Sequence, residues 1–250
     1  MSFHELRSVA ELIRRNSGNV VAFTGAGISA EAGIPTFRGK GGLWERYNPE
    51  ELATPHAFFR DPKLVWDWYL WRMSIIARAQ PTPAHEILAL WEDRGILRGV
   101  VTQNVDGLHQ KAGSKNLVEL HGSIWRIRCT SCDNKIYLGF GNLPERVPPE
   151  CDRCGSIMRP DVVWFYEPLP RDEWIRAEDM MRSANLLLII GTSGLVMPAA
   201  TLPMIALENK ATLVEINPEE TNLSRFAKFR MKEGASRALI ALNEILEGIP

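Results

Sequence analysis

The chain contains four cysteines, and all of them lie in two Cys-x2-Cys pairs. The first pair is Cys129 and Cys132, the second is Cys151 and Cys154, and 18 residues separate them. Thiolates at this spacing match a zinc ribbon, in which four sulfurs fill the tetrahedral coordination of Zn²⁺ and leave no position for a reacting water. The spacing therefore predicts a structural metal that takes no part in a reaction. No cysteine remains for a disulfide framework, which favours a reducing compartment.

A glycine-rich turn follows the first apolar segment. Residues 20–23 (VVAF) predict a buried strand, and residues 25–30 (GAGISA) fit the pattern Gly-x-Gly-x-x-Ala before a helix. Glycines at these positions let a backbone approach a pyrophosphate. These residues alone favour dinucleotide binding and a plain strand–helix turn equally. Glu45, about 20 residues on, follows no predicted strand, so Asn217 is the better candidate for a ribose ligand.

Two further polar segments follow predicted strands. His121 comes after residues 117–120, and residues 103–106 (QNVD) come after residues 98–102. An imidazole at the carboxyl end of a strand suits a general base, and amides with a carboxylate can bind a carboxamide and ribose hydroxyls. A solvated histidine and an Asx-type turn are equally compatible with these residues.

A cationic group occurs on one predicted helix, residues 64–72. Tyr69 and Arg72 are three positions apart and so share a face of that helix. A guanidinium fork pairs well with a carboxylate. The alternative is a helix that packs on its aromatic side chains and leaves Arg72 in solvent.

Apolar strands that alternate with amphipathic helices must position these groups. Strands are predicted at 20–23, 98–102, 117–120, 162–165, 186–190 and 212–216, and helices at 4–16, 64–72, 83–94, 171–183 and 235–247. The alternation predicts an α/β fold, a Rossmann-like doubly wound parallel sheet covered on both faces. The residues that directly follow strands include Gly25, Gln103, His121, Gly191 and Asn217. Because such sheets bind ligands beyond the carboxyl ends of their strands, we expect these residues in one crevice.

Two segments interrupt the alternation. We expect residues 1–42, 81–123 and 161–250 to form the Rossmann-like domain that carries the candidate dinucleotide site. Residues 43–80 and 124–160 are then two insertions that form a smaller lobe, a helical module plus the zinc ribbon.

The composition is that of a globular chain. Its 250 residues are 45% hydrophobic and 24% charged, with a formal net charge of −1. These values exclude a disordered chain and a protein that binds nucleic acid mainly through its phosphates. No apolar run reaches the roughly 18 residues of a membrane span, and the N-terminus predicts an amphipathic helix rather than a signal peptide. We expect a cytoplasmic protein with no direct contact with membranes or nucleic acid.

Together these motifs resemble those of the sirtuins, the NAD-dependent protein-lysine deacylases. The resemblance rests on residues 25–39 (GAGISAEAGIPTFRG), residues 103–106, His121-Gly122, the four cysteines and residues 191–193 (GTS), and it covers nearly the whole chain. It implies NAD as cosubstrate, one structural Zn²⁺ and acylated-lysine proteins or peptides as substrates. It also implies cleavage of NAD⁺ at the nicotinamide–ribose bond, which yields nicotinamide, deacylated lysine and O-acyl-ADP-ribose.

The resemblance also implies roles for individual residues. His121 corresponds to the general base, Asn104 to the residue that orients the ribose, and Asp106 to the residue that binds the nicotinamide carboxamide. The other residues that resemble the cofactor-binding set are Gly25, Ala26, Gly27, Phe37, Arg38, Trp44, Gln103, Val105, Gly191, Thr192, Ser193, Asn217 and Ala235. Val163 and Phe165 resemble part of the substrate-binding segment.

The choice of acyl group is implied by Tyr69-x-x-Arg72. This pattern resembles the sirtuin class that removes acidic acyl groups such as succinyl and malonyl, and the small Ala53 matches a widened acyl pocket in that class. We therefore expect desuccinylase and demalonylase activity beside deacetylase activity.

Other functions remain compatible with the sequence. Protein ADP-ribosyl transfer or NAD hydrolysis would use the same pocket with a different nucleophile, and a zinc-ribbon binding module on an inert scaffold would use no pocket. The chain also has Tyr166 where sirtuins usually have glycine. We expect this tyrosine to narrow or redirect the peptide groove.

Overall fold

The computed structural model describes residues 3–39 and 41–248, which form two β-sheets and their flanking helices. The strands are β1 (Val20–Thr24), β2 (Leu97–Thr102), β3 (Leu117–Glu119), β4 (Gly122–Cys129), β5 (Lys135–Tyr137), β6 (Met158–Val162), β7 (Leu186–Ile190), β8 (Thr212–Ile216) and β9 (Phe229–Met231). The α-helices are α1 (Phe3–Arg15), α2 (Pro49–Leu52), α3 (Pro55–Arg60), α4 (Pro62–Ile76), α5 (Pro83–Asp93), α6 (Leu108–Ala112), α7 (Arg171–Ser183), α8 (Leu202–Glu208) and α9 (Ala235–Glu247). None of the helices in these two ranges combines the length and the apolar composition needed to cross a bilayer.

The larger sheet is six-stranded and parallel throughout, with the order β3-β2-β1-β7-β8-β9. Strands β1 and β7 are buried along their whole length. Alternate residues of a strand point to opposite faces, so Val20 and Ala22 pack with α1, α5 and α9, whereas Val21 and Phe23 pack with α7 and α8. The predicted doubly wound, Rossmann-like sheet is confirmed. The short edge strand β9 was not predicted, because three residues are too few to show a strand pattern in the sequence.

Strand β1 lies at the point where the strand order reverses. From β1 the chain moves to β2 and β3 on one side, and later from β7 to β8 and β9 on the other side. The helices after β1 and β7 therefore leave on opposite faces, which opens a crevice at the carboxyl ends of these two strands. The predicted bounds of 186–190, 212–216, 171–183 and 235–247 coincide with β7, β8, α7 and α9.

The smaller sheet is antiparallel, with the order β5-β4-β6, and packs against α4. Trp66 and Met73 of α4 share one apolar cluster with Ile127 of β4 and Met158 of β6. The Trp66 indole N–H also donates to the Met158 carbonyl over 2.9 Å. This common core supports our proposal that residues 43–80 and 124–160 form one lobe, and the boundaries of the two domains stay a prediction.

The strand predicted at 162–165 is wrong. The structure has β6 instead, which ends at Val162 and belongs to the antiparallel sheet. Beyond it the backbone N–H groups of Val163 and Phe165 donate to the carbonyls of His121 and Ala53, which belong to two different segments. Because no single neighbouring strand accepts these hydrogen bonds, residues 163–165 are not a β-strand but a segment that connects the two regions around His121 and Ala53.

Candidate active site

A cavity of about 730 Å³ opens at the carboxyl ends of the parallel strands. The predicted site residues that line it are Gly25, Ala26, Gly27, Phe37, Arg38, Trp44, Ala53, Tyr69, Arg72, Gln103, Asn104, Val105, His121, Val163, Phe165, Gly191, Thr192, Ser193, Asn217 and Ala235. The expected convergence of segments that are far apart in sequence is therefore present in the structure.

The glycine-rich turn meets the turn after β7 at backbone contact distance. Gly25 N–H donates to the Ile190 carbonyl over 3.0 Å, and Gly27 N–H donates to the Gly191 carbonyl over 2.8 Å. A Cβ on Gly27 would lie 2.7 Å from the Gly191 Cα, and Gly191 itself has φ +60°. Glycine is required at both positions because any side chain would separate the two turns.

The segment that follows this turn is a 3-10 helix, Ala26–Ala32, and not the predicted α-helix. Gly33 ends it in the left-handed conformation with φ 80°. The N–H groups of Gly25 and Gly27 already donate to the carbonyls of Ile190 and Gly191. Of residues 25–27, only Ala26 therefore has an N–H without a protein acceptor among the described residues. This N–H is free to bind an anionic ligand.

The amide side chains of Gln103 and Asn104 hydrogen-bond to the place where these two glycine turns meet, which we call the joint. Gln103 Nε2 donates to Thr192 Oγ1 over 2.8 Å. Asn104 Nδ2 donates to the Gly25 carbonyl over 3.1 Å and to Ser29 Oγ over 3.2 Å. Since both N–H bonds of Asn104 are used, its Oδ1 is the atom left to accept a hydrogen bond from a ligand hydroxyl.

Asp106 lies behind the cavity wall rather than among the lining residues. It is buried, its Oδ2 accepts from Ser29 Oγ over 2.8 Å, and its Oδ1 accepts from Leu108 N–H over 2.9 Å. Burial raises the pKa of Asp106. Its predicted contact with a carboxamide stays a prediction, and the structure shows that this carboxylate orders Ser29, which in turn accepts from Asn104.

His121 has a defined tautomer. It lies between β3 and β4, and its Nδ1 is 3.0 Å from the Gln103 carbonyl oxygen, which can only accept. Nδ1 therefore carries the proton, and Nε2 keeps a free lone pair. Burial lowers the pKa of His121, so the neutral form is favoured at neutral pH. The lining position, the tautomer and the pKa direction all suit a general base.

Two buried histidines that the sequence did not single out lie below the turn. His85 accepts at Nδ1 from the Thr82 N–H over 3.2 Å in a capping box, and its ring centroid is 4.7 Å from that of His109. His109 Nε2 lies 3.0 Å from Thr24 Oγ1. Burial lowers the pKa of His85 to about 4 and that of His109 well below its ordinary value. A capping-box signal was present in Thr82-x-x-His85, but nothing in the sequence indicated that both rings are buried.

One end of the cavity combines aromatic rings with a buried cation. Arg72 is only 7% exposed, and its Cζ lies 4.6 Å from the Phe37 ring centroid and 4.9 Å from that of Trp68. Tyr69 is buried, and its Oη accepts from Trp164 Nε1 over 2.8 Å. Trp68 and Trp164 line the cavity too, and the sequence did not identify them as site residues.

The other end of the cavity is closed by the turns after β8 and before α9. Asn217 Nδ2 donates to the Thr192 carbonyl over 3.1 Å, and its Oδ1 accepts from Glu219 N–H over 3.1 Å. Ala235 begins α9, and Glu31 Oε1 accepts from the next backbone N–H, that of Ser236, over 3.2 Å. Glu31 and Glu219 line this end as well and were missed, because isolated carboxylates carry no motif.

The four cysteines form a cluster at the far side of the smaller sheet. All four are free thiols, and their Sγ atoms lie within 4.8 Å of one another. The Cys129–Cys154 and Cys132–Cys151 sulfurs are 3.4 and 3.7 Å apart. A tetrahedron with zinc–sulfur bonds of about 2.3 Å has edges of about 3.8 Å, so the cluster fits Zn²⁺. None of these cysteines lines the cavity, which supports a structural metal.

Comparison with known proteins gives a consistent picture. The model of the Sir2 family matches residues 25–198. The chain is 55% identical over 221 residues to an NAD-dependent protein deacylase of Aquifex aeolicus, which covers 88% of this chain and 92% of that protein. It is 54% identical over 228 residues to an NAD-dependent protein deacylase of Pyrococcus abyssi, covering 90% and 91%.

Solved structures show the same similarity. A variant of a Sir2 homologue in complex with ADP-ribose superposes with a TM-score of 0.92 at 45% identity, covering 99% of this chain and 97% of that one. A Sir2 homologue in complex with NAD gives 0.89 at 45% identity, with coverage of 100% and 96%. A Sir2 complex with a p53 peptide and NAD⁺ gives 0.84 at 32% identity, with coverage of 99% of each chain.

The cysteine cluster leads to a test of metal content. Cys132→Ser removes one of four thiolate ligands, so we expect the purified protein to lose its bound zinc and several kcal/mol of unfolding free energy. Zinc is measured by atomic emission and stability by urea denaturation. Asp133→Ala is the matched control, because Asp133 is next to the ligand but pairs only with Arg153. Equal zinc content in both variants would contradict the assignment.

The buried histidines lead to a test of acid stability. Between pH 6.5 and 4 the unfolded chain binds a proton at His85 that the folded protein excludes, so unfolding free energy falls as the pH falls. We expect His85→Gln to remove about 3 kcal/mol of this loss over that range. The measurement is urea denaturation at a series of pH values. His56→Gln, at an exposed histidine, should follow the wild-type profile. Parallel profiles for all three proteins would show that His85 does not titrate in this way.

Proposed function

This chain belongs to the Sir2 family, and from that membership we propose that it is an NAD-dependent protein-lysine deacylase that removes acetyl, succinyl and malonyl groups. The observation that carries the proposal is the orientation of His121. Its hydrogen bond to the Gln103 carbonyl turns an unprotonated Nε2 toward the cavity that also contains the paired glycine turns.

The cavity fits NAD in its chemistry. The joined glycine turns offer the free Ala26 N–H where a pyrophosphate would lie, and Asn104 offers Oδ1 to a ribose hydroxyl. Sir2 homologues similar in structure are known in complex with NAD and with ADP-ribose. Gly25, Gly27 and Gly191 would lie against the phosphates, and Asn217 and Ala235 at the adenosine end. When bound, NAD⁺ supplies the ribose carbon that accepts the acyl oxygen as nicotinamide leaves.

His121 would act on the ribose hydroxyl. As a neutral imidazole it accepts the hydroxyl proton at Nε2, and the Gln103 carbonyl stabilises the positive charge that then forms on the ring. General-base catalysis of this kind typically contributes about 10²- to 10⁴-fold to the rate. The low pKa that burial gives His121 keeps the base unprotonated at neutral pH. The deprotonated hydroxyl would attack the acyl carbon, and one water would then complete the release of the lysine nitrogen from that carbon. The products would be nicotinamide, free lysine and O-acyl-ADP-ribose.

Aromatic side chains would exclude water from the reacting centre. The Phe37 and Trp44 rings lie 5.2 Å apart, and the Trp44 and Trp68 rings stack at 5.7 Å. Trp44 N–H donates to the Phe37 carbonyl over 3.0 Å, which ties the segment of Phe37 and Arg38 to this stack. A dry site favours transfer of the acyl group to ribose over attack by water.

The preference for acidic acyl groups rests on Arg72. Its guanidinium lines the cavity and makes no hydrogen bond or ion pair with any residue in the described ranges. Burial lowers the pKa of Arg72, and the nearby Tyr69 and Asp106 only partly offset this. Cation–π contacts typically contribute about 0.5–2 kcal/mol, less than the several kcal/mol that burying a charge costs. A substrate carboxylate would supply the missing anion.

Tyr69 and Ala53 would complete the acyl pocket. Tyr69 Oη accepts from the Trp164 indole, so its own O–H is free to donate to the same carboxylate. Ala53 is buried, lines the cavity and leaves room that a larger side chain would fill. A terminal carboxylate would thus meet a guanidinium and a phenol on one face of α4.

The partners would be acylated proteins or peptides. A Sir2 structure that this chain resembles contains a p53 peptide, and the curated relatives are named protein deacylases. The four reduced cysteines fit a reducing compartment, so we also propose a cytoplasmic location.

His121→Ala tests the proposed reaction. We expect a loss of at least about 100-fold in nicotinamide release with acetyl-lysine peptide, while NAD affinity and zinc content stay at wild-type values. Liquid chromatography and mass spectrometry measure nicotinamide and O-acyl-ADP-ribose, and calorimetry measures NAD binding. Full turnover in the variant would exclude His121 as the base. ADP-ribosylated protein or free ADP-ribose as the wild-type product would contradict deacylation.

Arg72→Met tests the acyl preference, because methionine keeps the apolar volume and removes the charge. A charge-assisted hydrogen bond contributes about 1.5–3 kcal/mol, so we expect kcat/KM for succinyl-lysine peptide to fall about 10- to 100-fold. The acetyl-lysine peptide lacks the carboxylate and should change little. Equal losses on both peptides would contradict selective pairing.

A stability measurement shows whether Arg72→Met loses activity because the substrate carboxylate has no cation to pair with or because the variant is misfolded. Because Arg72→Met removes a buried charge without an ion-pair partner, we expect its Tm to equal or exceed that of the wild type. Arg72→Lys is the matched control, since it keeps the charge but loses the planar fork. It should recover only part of the succinyl-lysine activity.

A further inference from the structure

Tyr166 occupies a backbone conformation that tyrosine rarely adopts. Glu167 N–H donates to the Trp164 carbonyl over 3.1 Å, which closes a β-turn with Tyr166 at its third position and φ 69°. A type II turn requires a positive φ there, and glycine is the usual residue. Only Lys210 shares this property among the non-glycine residues that the structure describes.

The turn cannot relax, because both of its ends are anchored. The Glu167 carboxylate accepts from Trp164 N–H over 2.8 Å and from Arg159 Nη1 and Nη2 over 2.5 and 2.9 Å. Phe165 N–H donates to the Ala53 carbonyl over 2.9 Å. These bonds fix the direction in which the Tyr166 side chain leaves the backbone.

Folding does not explain the tyrosine. Its side chain is 80% exposed, so it gains little from burial. Its hydroxyl donates to Glu50 Oε1 over 2.6 Å, which ties the ring to α2 of the smaller lobe. Glu50 is itself fixed, since its N–H donates to Asn48 Oδ1 over 3.0 Å and its carbonyl accepts from Thr54 Oγ1 over 3.2 Å. The ring is thus held at both its Cα and its hydroxyl.

The ring is held at the mouth of the cavity. Tyr166 lines the cavity beside Phe165 and Ala53, near the acyl end. On the loop after β7, Leu195 and Met197 line the same cavity and are also largely exposed. Large exposed side chains that line a cavity take up space at its opening.

We propose that Tyr166, tethered to Glu50, determines substrate specificity by narrowing the entrance to the acyl-lysine site. The enzyme then favours acyl-lysines with small neighbouring residues over those with bulky ones. This inference rests on the proposed function and adds to it the class of peptide that enters.

The test compares two acetyl-lysine peptides that differ only in their flanking residues, alanine or tryptophan. In the wild type we expect kcat/KM to be about tenfold lower for the tryptophan peptide, and in Tyr166→Gly the two peptides should differ by no more than about twofold. Tyr166→Phe and Glu50→Ala keep the turn but remove the hydrogen bond between the two side chains, so their ratios should be intermediate. Nicotinamide release and peptide affinity by fluorescence anisotropy are the readouts.

Lys210→Gly is the matched control. Both glycine variants relieve a positive φ, and Tyr166→Gly also loses the hydrogen bond to Glu50. Lys210 is exposed and is not among the lining residues, so Lys210→Gly should leave the peptide ratio at its wild-type value. An unchanged ratio in Tyr166→Gly, or weaker binding of the tryptophan peptide by Tyr166→Gly than by the wild type, would overturn the proposal. Failure of the wild type to release nicotinamide with capped acetyl-lysine would instead contradict the proposed function, and the ratio of peptide affinities would still test the entrance.

Discussion

The backbone contact between the two glycine turns is the constraint on which the cavity depends. Gly27 N–H meets the Gly191 carbonyl at 2.8 Å, directly beyond the carboxyl ends of β1 and β7. No side chain fits between them. Three amide side chains from the turns after β2 and β8 then hydrogen-bond to this joint: Asn104 to the Gly25 carbonyl, Gln103 to Thr192 Oγ1 and Asn217 to the Thr192 carbonyl. A displacement of the joint would therefore move every polar group of the dinucleotide site together, and small displacements of this kind are costly for catalysis.

The sequence predicted those parts of the structure that depend on local patterns. The continuous apolar run of β7 is typical of a strand buried on both faces, and the cysteine spacing is typical of a zinc site. The convergence of His121 and Gln103 on one crevice followed from the parallel sheet alone. These predictions succeeded because each needed only the residues of one segment and a general rule of topology.

The errors arose where distant contacts determine the structure. Residues 163–165 have strand-like composition, but their N–H groups are taken by His121 and Ala53, which no local pattern reveals. The 3-10 helix after β1 likewise depends on Gly191, which is more than 150 residues away in the sequence.

Stability and specificity oppose each other at the acyl end of the cavity. A left-handed conformation costs a non-glycine residue roughly 1–2 kcal/mol, and an exposed hydrogen bond to Glu50 returns at most a similar amount. Arg72 likewise loses more by desolvation than its aromatic neighbours return. At the dinucleotide end, by contrast, the backbone N–H groups of the glycine turns are hydrogen-bonded to backbone carbonyls, so few polar groups are buried without a partner. Arg72 has no ion-pair partner among the described residues, and Tyr166 has only the exposed hydrogen bond to Glu50. Arg72 and Tyr166 border the same end of the cavity, and the substrate that we propose would meet the first with a terminal carboxylate and the second with small residues beside its lysine.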